Sequence, residues 1–102
     1  MRIEVTGKHL EVTPAIREYA ESKCGRLPKY YDGVQEIIVV LTQRLHHQEF
    51  EVEVRVDVEK HDDFIAHVSG SDIYECIDLS IDKLTRQLTD FKERLKNSKR
   101  GS

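Results

Sequence analysis

The fold is decided by residues 71–96, SDIYECIDLSIDKLTRQLTDFKERLK, because this stretch predicts one long helix with two different faces. Its apolar residues recur at alternating spacings of four and three, which places them on a single stripe of the helix. The stripe consists of Ile77, Ile81, Leu84, Leu88, Phe91 and Leu95. The far side carries cations, namely Lys83, Arg86 and Arg94. Asp72 or Ser71 can cap the first backbone amides. We therefore expect one face to pack on a core and the other to offer positive charge.

A second, shorter helix is predicted to begin at Thr13-Pro14. Threonine is a good N-cap, and proline at the first helical position lacks an amide that would be unpaired anyway. The apolar side of this helix consists of Ile16, Ala20, Cys24 and Leu27, flanked by Tyr19. The helix is expected to fail between residues 25 and 28, because Pro28 cannot continue a regular ladder.

Four segments have the patterns of strands. Residues 2–7 alternate weakly, and residues 34–43 carry the apolar run IIVVL of a central strand. Residues 50–58 alternate strictly between apolar and charged side chains, so one side of the sheet is expected to meet water. Residues 64–68 form the last predicted strand, after a hairpin turn.

The predicted element order is therefore β-α-β-β-β-α. Both amphipathic helices need an apolar surface, and only one face of the sheet offers one. The sequence thus predicts an α+β fold, a two-layer sandwich in which both helices cover one face of a four-stranded mixed sheet. Residues 1–96 are expected to form a single domain, and residues 97–102 a flexible basic tail.

Charge is segregated along the chain, although the formal net charge is only −3. Residues 49–63 carry seven acids and two bases, or −5, whereas residues 83–102 carry seven bases and two acids, or +5. Residues 17–29 add four bases and two acids, or +2. Binding responds to the local field, so a basic helical layer over an acidic sheet favours a polyanionic partner such as structured RNA.

The end of the first helix combines cations with aromatic rings. Lys23 and Arg26 are three residues apart and therefore neighbours, and Lys29 follows the expected helix end. Tyr30 and Tyr31 come next, and either ring could stack on or hydrogen-bond to a nucleic acid. Packing in the core beneath the helix end is the alternative, and it is favoured for each tyrosine taken separately.

Several function classes are excluded by pattern. No glycine-rich phosphate loop, nucleophile elbow or zinc-protease motif is present, so we expect no catalytic residue, no cofactor and no small-molecule substrate. Asp78 and Asp82, one turn apart, are expected to have a structural or orienting role, Asp82 through pairing with Arg86. The longest apolar run, residues 37–41, is too short to cross a membrane.

The histidines are interpreted as polar loop residues and the cysteines as small packing residues. His46 and His47 precede the strand at residues 50–58 and His61 follows it, about 30 Å away, so they cannot share an ion, and no metal site is expected. His67 lies within the last predicted strand.

The N-terminus lacks the apolar segment of a secretory signal. We therefore expect a cytoplasmic protein whose two cysteines are free packing residues.

Three stretches closely resemble the ribosome hibernation promoting factor and ribosome-associated inhibitor family. They are VTPAIREYAESKCGRLPKYYDGV at residues 12–34, IIVVL at residues 37–41 and SDIYECIDLSIDKLTRQLTDFKERL at residues 71–95. The most specific part is the pattern D-x-Y…I-D…I-D-K-L-x-R-Q-L, which runs from Asp72 to Leu88. The resemblance covers essentially the whole chain in order.

This resemblance implies a fold similar to a double-stranded-RNA-binding domain. It also implies binding to the small ribosomal subunit and its rRNA, in the channel used by mRNA and tRNA, which keeps idle ribosomes from translating. Carried onto matching positions, the implied rRNA contacts are Lys23, Arg26, Lys29, Lys83, Arg86, Lys92, Arg94 and Lys96. Tyr74 resembles a packing residue at the helix start rather than a contact.

The chain resembles the short form of the family, which would need a separate dimerising factor to pair ribosomes. A related inhibitor type holds single ribosomes inactive, and the sequence leaves both outcomes open. Two rival functions also stay open: a generic double-stranded-RNA-binding module, and a regulatory domain that binds a basic protein through its acidic sheet and modulates transcription.

Overall fold

Four strands and two helices follow the predicted order. The computed structural model describes residues 1–46 and 48–100, and side-chain environments up to residue 97. His47 and residues 101–102, part of the predicted tail, lie outside the described residues. The elements are β1 (Arg2–Lys8), α1 (Pro14–Cys24), a 3₁₀ turn (Leu27–Lys29), β2 (Val34–Gln43), β3 (Phe50–Val58), β4 (Phe64–Gly70) and α2 (Ile73–Arg100).

The sheet is mixed, and its strands lie in chain order, β1-β2-β3-β4. β1 runs parallel to β2, with Val5 opposite Val39, because α1 carries the chain across between them. The other two pairs are antiparallel hairpins, which place Val39 opposite Val54 and Val54 opposite Ala66. This row of small apolar side chains is buried across all four strands, so the helix-facing side of the sheet is continuous.

Both helices cover that side of the sheet, as predicted. α1 packs against β1 and α2, while α2 packs against β3 and β4. The apolar face of α1 contributes Ala20 and Cys24 to the core, and that of α2 contributes Ile77, Leu84 and Leu88, all essentially inaccessible to solvent. The chain is therefore the predicted two-layer α+β sandwich.

The helix ends follow the predicted capping. The Ile16 amide donates to the Thr13 hydroxyl at 3.2 Å, and the Tyr74 amide donates to the Asp72 carboxylate at 2.9 Å. α1 ends at Cys24, and the short turn that contains Pro28 follows and directs the side chain of Leu27 into the core. This turn carries Lys29 and the following tyrosines toward α2.

The apolar stripe of α2 is shorter than the sequence pattern suggests. Leu95 is 40% exposed and does not join the core, and α2 continues past the predicted end at Lys96 to Arg100. A 28-residue helix is about 42 Å long, whereas the ten residues of β2 span about 33 Å. The last turns of α2 therefore extend beyond the sheet that would bury them.

The open face of the sheet is charged, but it is less uniformly acidic than residues 49–63 alone suggest. Arg44 pairs with Glu49 at 3.1 Å and Glu51 at 3.7 Å, and Arg55 pairs with Asp63 at 3.8 Å. Arg44, from outside residues 49–63, and Arg55, from within them, thus offset part of the acidic charge.

Candidate nucleic-acid interface

The eight predicted contact residues all lie outside the core. Seven are exposed, and Lys23 is half-buried. Seven of them divide into two groups by their neighbours, because α2 presents one side to α1 and another to the edge strand β4. The cations between the helices are Lys23, Arg26, Lys29, Lys92 and Lys96, and those toward β4 are Lys83 and Arg86. Arg94 is exposed.

A cleft of about 330 Å³ lies between α1 and the first half of α2. Its walls are formed by Lys23, Arg26, Tyr30, Asp78, Ile81, Asp82 and Thr85. Two cations face two carboxylates here, so the formal charge of the lining is zero. This cleft is polar without favouring an anion.

A second cleft, of about 270 Å³, lies next to it, between the turn after α1 and the later turns of α2. It is lined by Lys29, Tyr30, Thr89, Lys92, Glu93 and Lys96. Three lysines oppose one glutamate, which gives a formal charge of +2. We call the line along which α1 and the turn after it meet α2 the seam. Lysine ammonium groups act as point charges toward phosphate, so this end of the seam is the better phosphate site.

Tyr30 lies at the junction of the two clefts and contributes to the lining of both. Its side chain is 39% exposed. Tyr31 instead packs against the core, with its ring 5.1 Å from that of Phe91 in an edge-to-face arrangement. The core-packing alternative therefore holds for Tyr31 and fails for Tyr30, because the turn after α1 points successive side chains in different directions.

Asp78 joins the two helices. Its carboxylate accepts a hydrogen bond of 2.6 Å from the Tyr19 hydroxyl and lies 3.4 Å from the Lys23 ammonium. The hydrogen bond to Asp78 raises the pKa of Tyr19 above its ordinary value, with desolvation as the next cause. Asp78 thus has the structural role predicted for it, and it neutralises part of the charge of Lys23.

Lys83 and Arg86 border a separate depression against Val68 and Leu79. The Lys83 ammonium lies 3.4 Å from the carbonyl oxygen of His67, on the free edge of β4. Gln87 donates to the next edge carbonyl, that of Ile65, at 3.2 Å. α2 side chains therefore cover an edge that could otherwise pair with another strand.

The predicted pair of Asp82 with Arg86 is absent from the ion pairs that the described residues form. Asp82 lines both the neutral cleft and the depression beside β4, so it lies on the ridge of α2 between the two groups of cations.

None of the described histidines and cysteines lines either cleft between the helices. Within residues 1–46 and 48–100, no group of three histidines, cysteines or carboxylates is close enough to hold a metal ion. His61 instead stacks on Phe64, with ring centroids 4.6 Å apart. Cys24 and Cys76 are buried free thiols, and burial raises the pKa of both. None of the described helices is long and apolar enough to span a membrane.

The amino-acid sequence matches a known protein family. The sequence profile described as "Sigma 54 modulation protein / S30EA ribosomal protein" matches residues 3–96. The chain belongs to this family. The matched range includes α1, the last three strands, all but the ends of β1 and α2, and every cation of the two groups.

Relatives in this S30EA family are similar over nearly their whole length. The ribosome hibernation promoting factor of Escherichia coli K12 is 35% identical over 100 residues, which cover 94% of this chain and 98% of that protein. The factor of the same name from Klebsiella oxytoca is 33% identical over 96 residues, with the same coverage of 94% and 98%.

Two solved structures of the family share the fold. The N-terminal domain of Thermus thermophilus Protein Y superposes with a TM-score of 0.79 at 34% identity, covering 89% of this chain and 99% of that one. A ribosomal subunit interface protein from Coxiella burnetii superposes with a TM-score of 0.82 at 27% identity, covering 91% and 99%. These matches confirm the resemblance and the fold class predicted from the sequence.

Proposed function

We propose that this protein is a ribosome hibernation factor that acts by occupancy rather than catalysis. It binds the small ribosomal subunit through the cations of its helical layer, lies in the mRNA and tRNA channel, and excludes the substrates of translation. Its partners are the small subunit and its rRNA, in the cytoplasm, and a separate dimerising factor where ribosomes are paired.

One observation carries this proposal. The turn after α1 and the later turns of α2 bring Lys29, Lys92 and Lys96 together in one cleft, although Lys29 is far from the other two in sequence. A cluster of lysines built from two elements suits a phosphate backbone held at a defined angle. The names of the relatives, ribosome hibernation promoting factors, point to the ribosome as the source of that backbone.

Charge reversal tests the interface. The double variants Lys29→Glu/Lys92→Glu and Lys83→Glu/Arg86→Glu are each expected to abolish co-sedimentation with small subunits. The matched control is Lys8→Glu/Arg55→Glu, which makes the same change of charge on the sheet, away from the seam. Unchanged binding by the seam variant, or equal loss in the control, contradicts the proposal.

Salt dependence gives a second measurement. Neutralising phosphates releases counterions, so the logarithm of the association constant falls linearly with the logarithm of the salt concentration. Replacing one contacting lysine, as in Lys92→Ala, should reduce the magnitude of this slope by about one. A slope that is flat in the unaltered protein contradicts a phosphate-dominated interface.

Two experiments separate the proposed function from its two rivals. Free duplex RNA offered against intact small subunits distinguishes a generic duplex-binding module, because a hibernation factor should strongly prefer the subunit. A pulldown after nuclease treatment distinguishes a protein-binding domain, which would retain its partner. A sucrose-gradient profile with and without the protein reports subunit binding and ribosome pairing together.

A further inference from the structure

The ring of Tyr30 differs in its surroundings from the other three tyrosines. Tyr19 and Tyr74 pair edge-to-face at 5.0 Å, and Tyr31 pairs with Phe91. Among the described residues, the ring of Tyr30 has no aromatic partner and its hydroxyl has no hydrogen-bond partner. Neither the core nor a polar network therefore accounts for this side chain.

The two clefts that meet at Tyr30 differ in charge. The cleft beyond Lys29, with its three lysines, has a formal charge of +2, whereas the cleft beside Asp78 and Asp82 is neutral. An anion is thus favoured on one side of the ring and a neutral polar group on the other. A nucleotide has this division, with an anionic phosphate on one side of its sugar and a neutral, flat base on the other.

We infer that Tyr30 is the stacking platform for one unpaired nucleotide of the bound RNA. Its base lies against the exposed ring, and its phosphate lies among Lys29, Lys92 and Lys96. Stacking on an aromatic side chain needs a base that is not already stacked in a helix, so the ligand is a nucleotide in a loop, bulge or unpaired strand rather than a regular duplex. The inference rests on the proposed function, since it names the part of the RNA that the same surface recognises.

The dimensions of the site agree with one nucleotide. Pockets that enclose small molecules begin at about 300 Å³, and these open clefts measure about 330 and 270 Å³. Both clefts therefore lie near the lower end of the size range of small-molecule sites.

The first test uses small subunits and three variants. Tyr30→Ala should bind on the order of tenfold more weakly, the usual effect of removing one base stack. Tyr30→Phe keeps the ring and should bind as the unaltered protein does. Tyr74→Ala is the matched control, because Tyr74 is 38% exposed but lies outside both clefts. Each variant's free energy of unfolding is measured so that a folding defect is recognised.

Salt dependence distinguishes stacking from an indirect effect on the lysines. If Tyr30 stacks, the tenfold loss is the same at low and moderate salt, and the salt slope is unchanged. If Tyr30→Ala reduces the slope as Lys92→Ala does, the ring only orders the cations and the inference is overturned. Unchanged affinity of Tyr30→Ala overturns it as well, while leaving the proposed function standing.

The second test does not require the ribosome. Single-stranded oligoadenylate of five nucleotides is titrated into the protein while the ring protons of each tyrosine are followed by NMR. Ring-current shifts at Tyr30 but not at Tyr74 are expected, and ribose 5-phosphate, which lacks a base, should leave the Tyr30 ring protons unshifted. If oligoadenylate causes no shift at Tyr30, the inference is overturned, whether or not the protein binds small subunits. A failure to bind small subunits would overturn only the proposed function.

Discussion

The hydroxyl of Tyr19 on α1 donates a hydrogen bond of 2.6 Å to the carboxylate of Asp78 on α2. The same carboxylate pairs with Lys23, whose ammonium lies 5.4 Å from the centre of the Tyr19 ring. This contact fixes the first turns of α2 against the last turns of α1. Because the first cleft lies between these helices and the second adjoins it, the contact also holds the candidate RNA-binding surface in shape.

Tyr19→Phe is expected to lower the free energy of unfolding by about 1.5 kcal/mol, because hydrogen bonds to charged groups contribute roughly 1.5–3 kcal/mol and this one is only partly buried. The ring and its contact with Tyr74 are retained, so the loss reports the hydroxyl. Tyr74→Phe is the control, because the Tyr74 hydroxyl makes no hydrogen bond within the described part of the chain. Urea unfolding measures both, and equal stabilities of the two variants would contradict the assignment.

Asp78→Asn should tighten binding to small subunits. Asparagine can still accept from Tyr19, but it no longer neutralises Lys23, so the seam gains one positive charge. Exposed ion pairs contribute up to about 1 kcal/mol, which limits the gain to roughly fivefold. The gain should shrink as salt is raised. Weaker binding at low salt would show that the orientation of Lys23 by Asp78 matters more than its charge.

The sequence predicts the two layers of the fold, but it does not predict contacts between residues that are far apart in the chain. Periodicity locates α2 and its buried stripe because the same 3.6-residue repeat determines both the pattern and the burial. It does not show that Lys23 pairs with Asp78, since these residues are brought together only by the packing of one helix on the other. It likewise cannot separate Tyr30 from Tyr31, whose directions are set by the turn at residues 27–29.

The difference in length between α2 and the sheet explains why Leu95, predicted to join the core, is exposed. The heptad-like spacing continues to that residue, yet the sheet ends first, so a correct helix prediction gave an incorrect core residue. The sequence also gives no signal for the left-handed backbone at Lys60, with φ of 59°, because that hairpin contains no glycine. On a helical wheel of α2 the two groups of cations fall on opposite sides, one toward α1 and the other toward β4.

The thiol of Cys24 should be unreactive in the folded protein. Burial raises its pKa from the ordinary 9.0 to about 12, and the thiolate is the reactive form. At pH 8 the native protein should therefore resist a thiol reagent that labels both cysteines after denaturation. Labelling of the native protein at the rate of the denatured chain would contradict this.

The raised pKa of Cys24 also predicts that the protein loses stability at alkaline pH. The folded state keeps the Cys24 proton above pH 9, whereas the unfolded state releases it, so this contribution is intact below pH 9 and is lost as the pH rises toward 12. Cys24→Ala removes the titrating group. Its free energy of unfolding should therefore fall less steeply than that of the unaltered protein over this window, and parallel curves would contradict the prediction.

Gly7 near the end of β1 is expected to tolerate no side chain. A Cβ at this position would overlap the carbonyl oxygen of Leu10 and lie 2.9 Å from a methyl of Val12, because the connector to α1 folds back over the strand. A backbone oxygen cannot move aside as a flexible side chain can, so Gly7→Ala should cost at least about 2 kcal/mol through overpacking. Thr6→Ala, at the exposed neighbouring position, is the control and should change stability by less than about 1 kcal/mol. If urea unfolding gives Gly7→Ala the same midpoint as the unaltered protein, the connector does not pack on β1 as described.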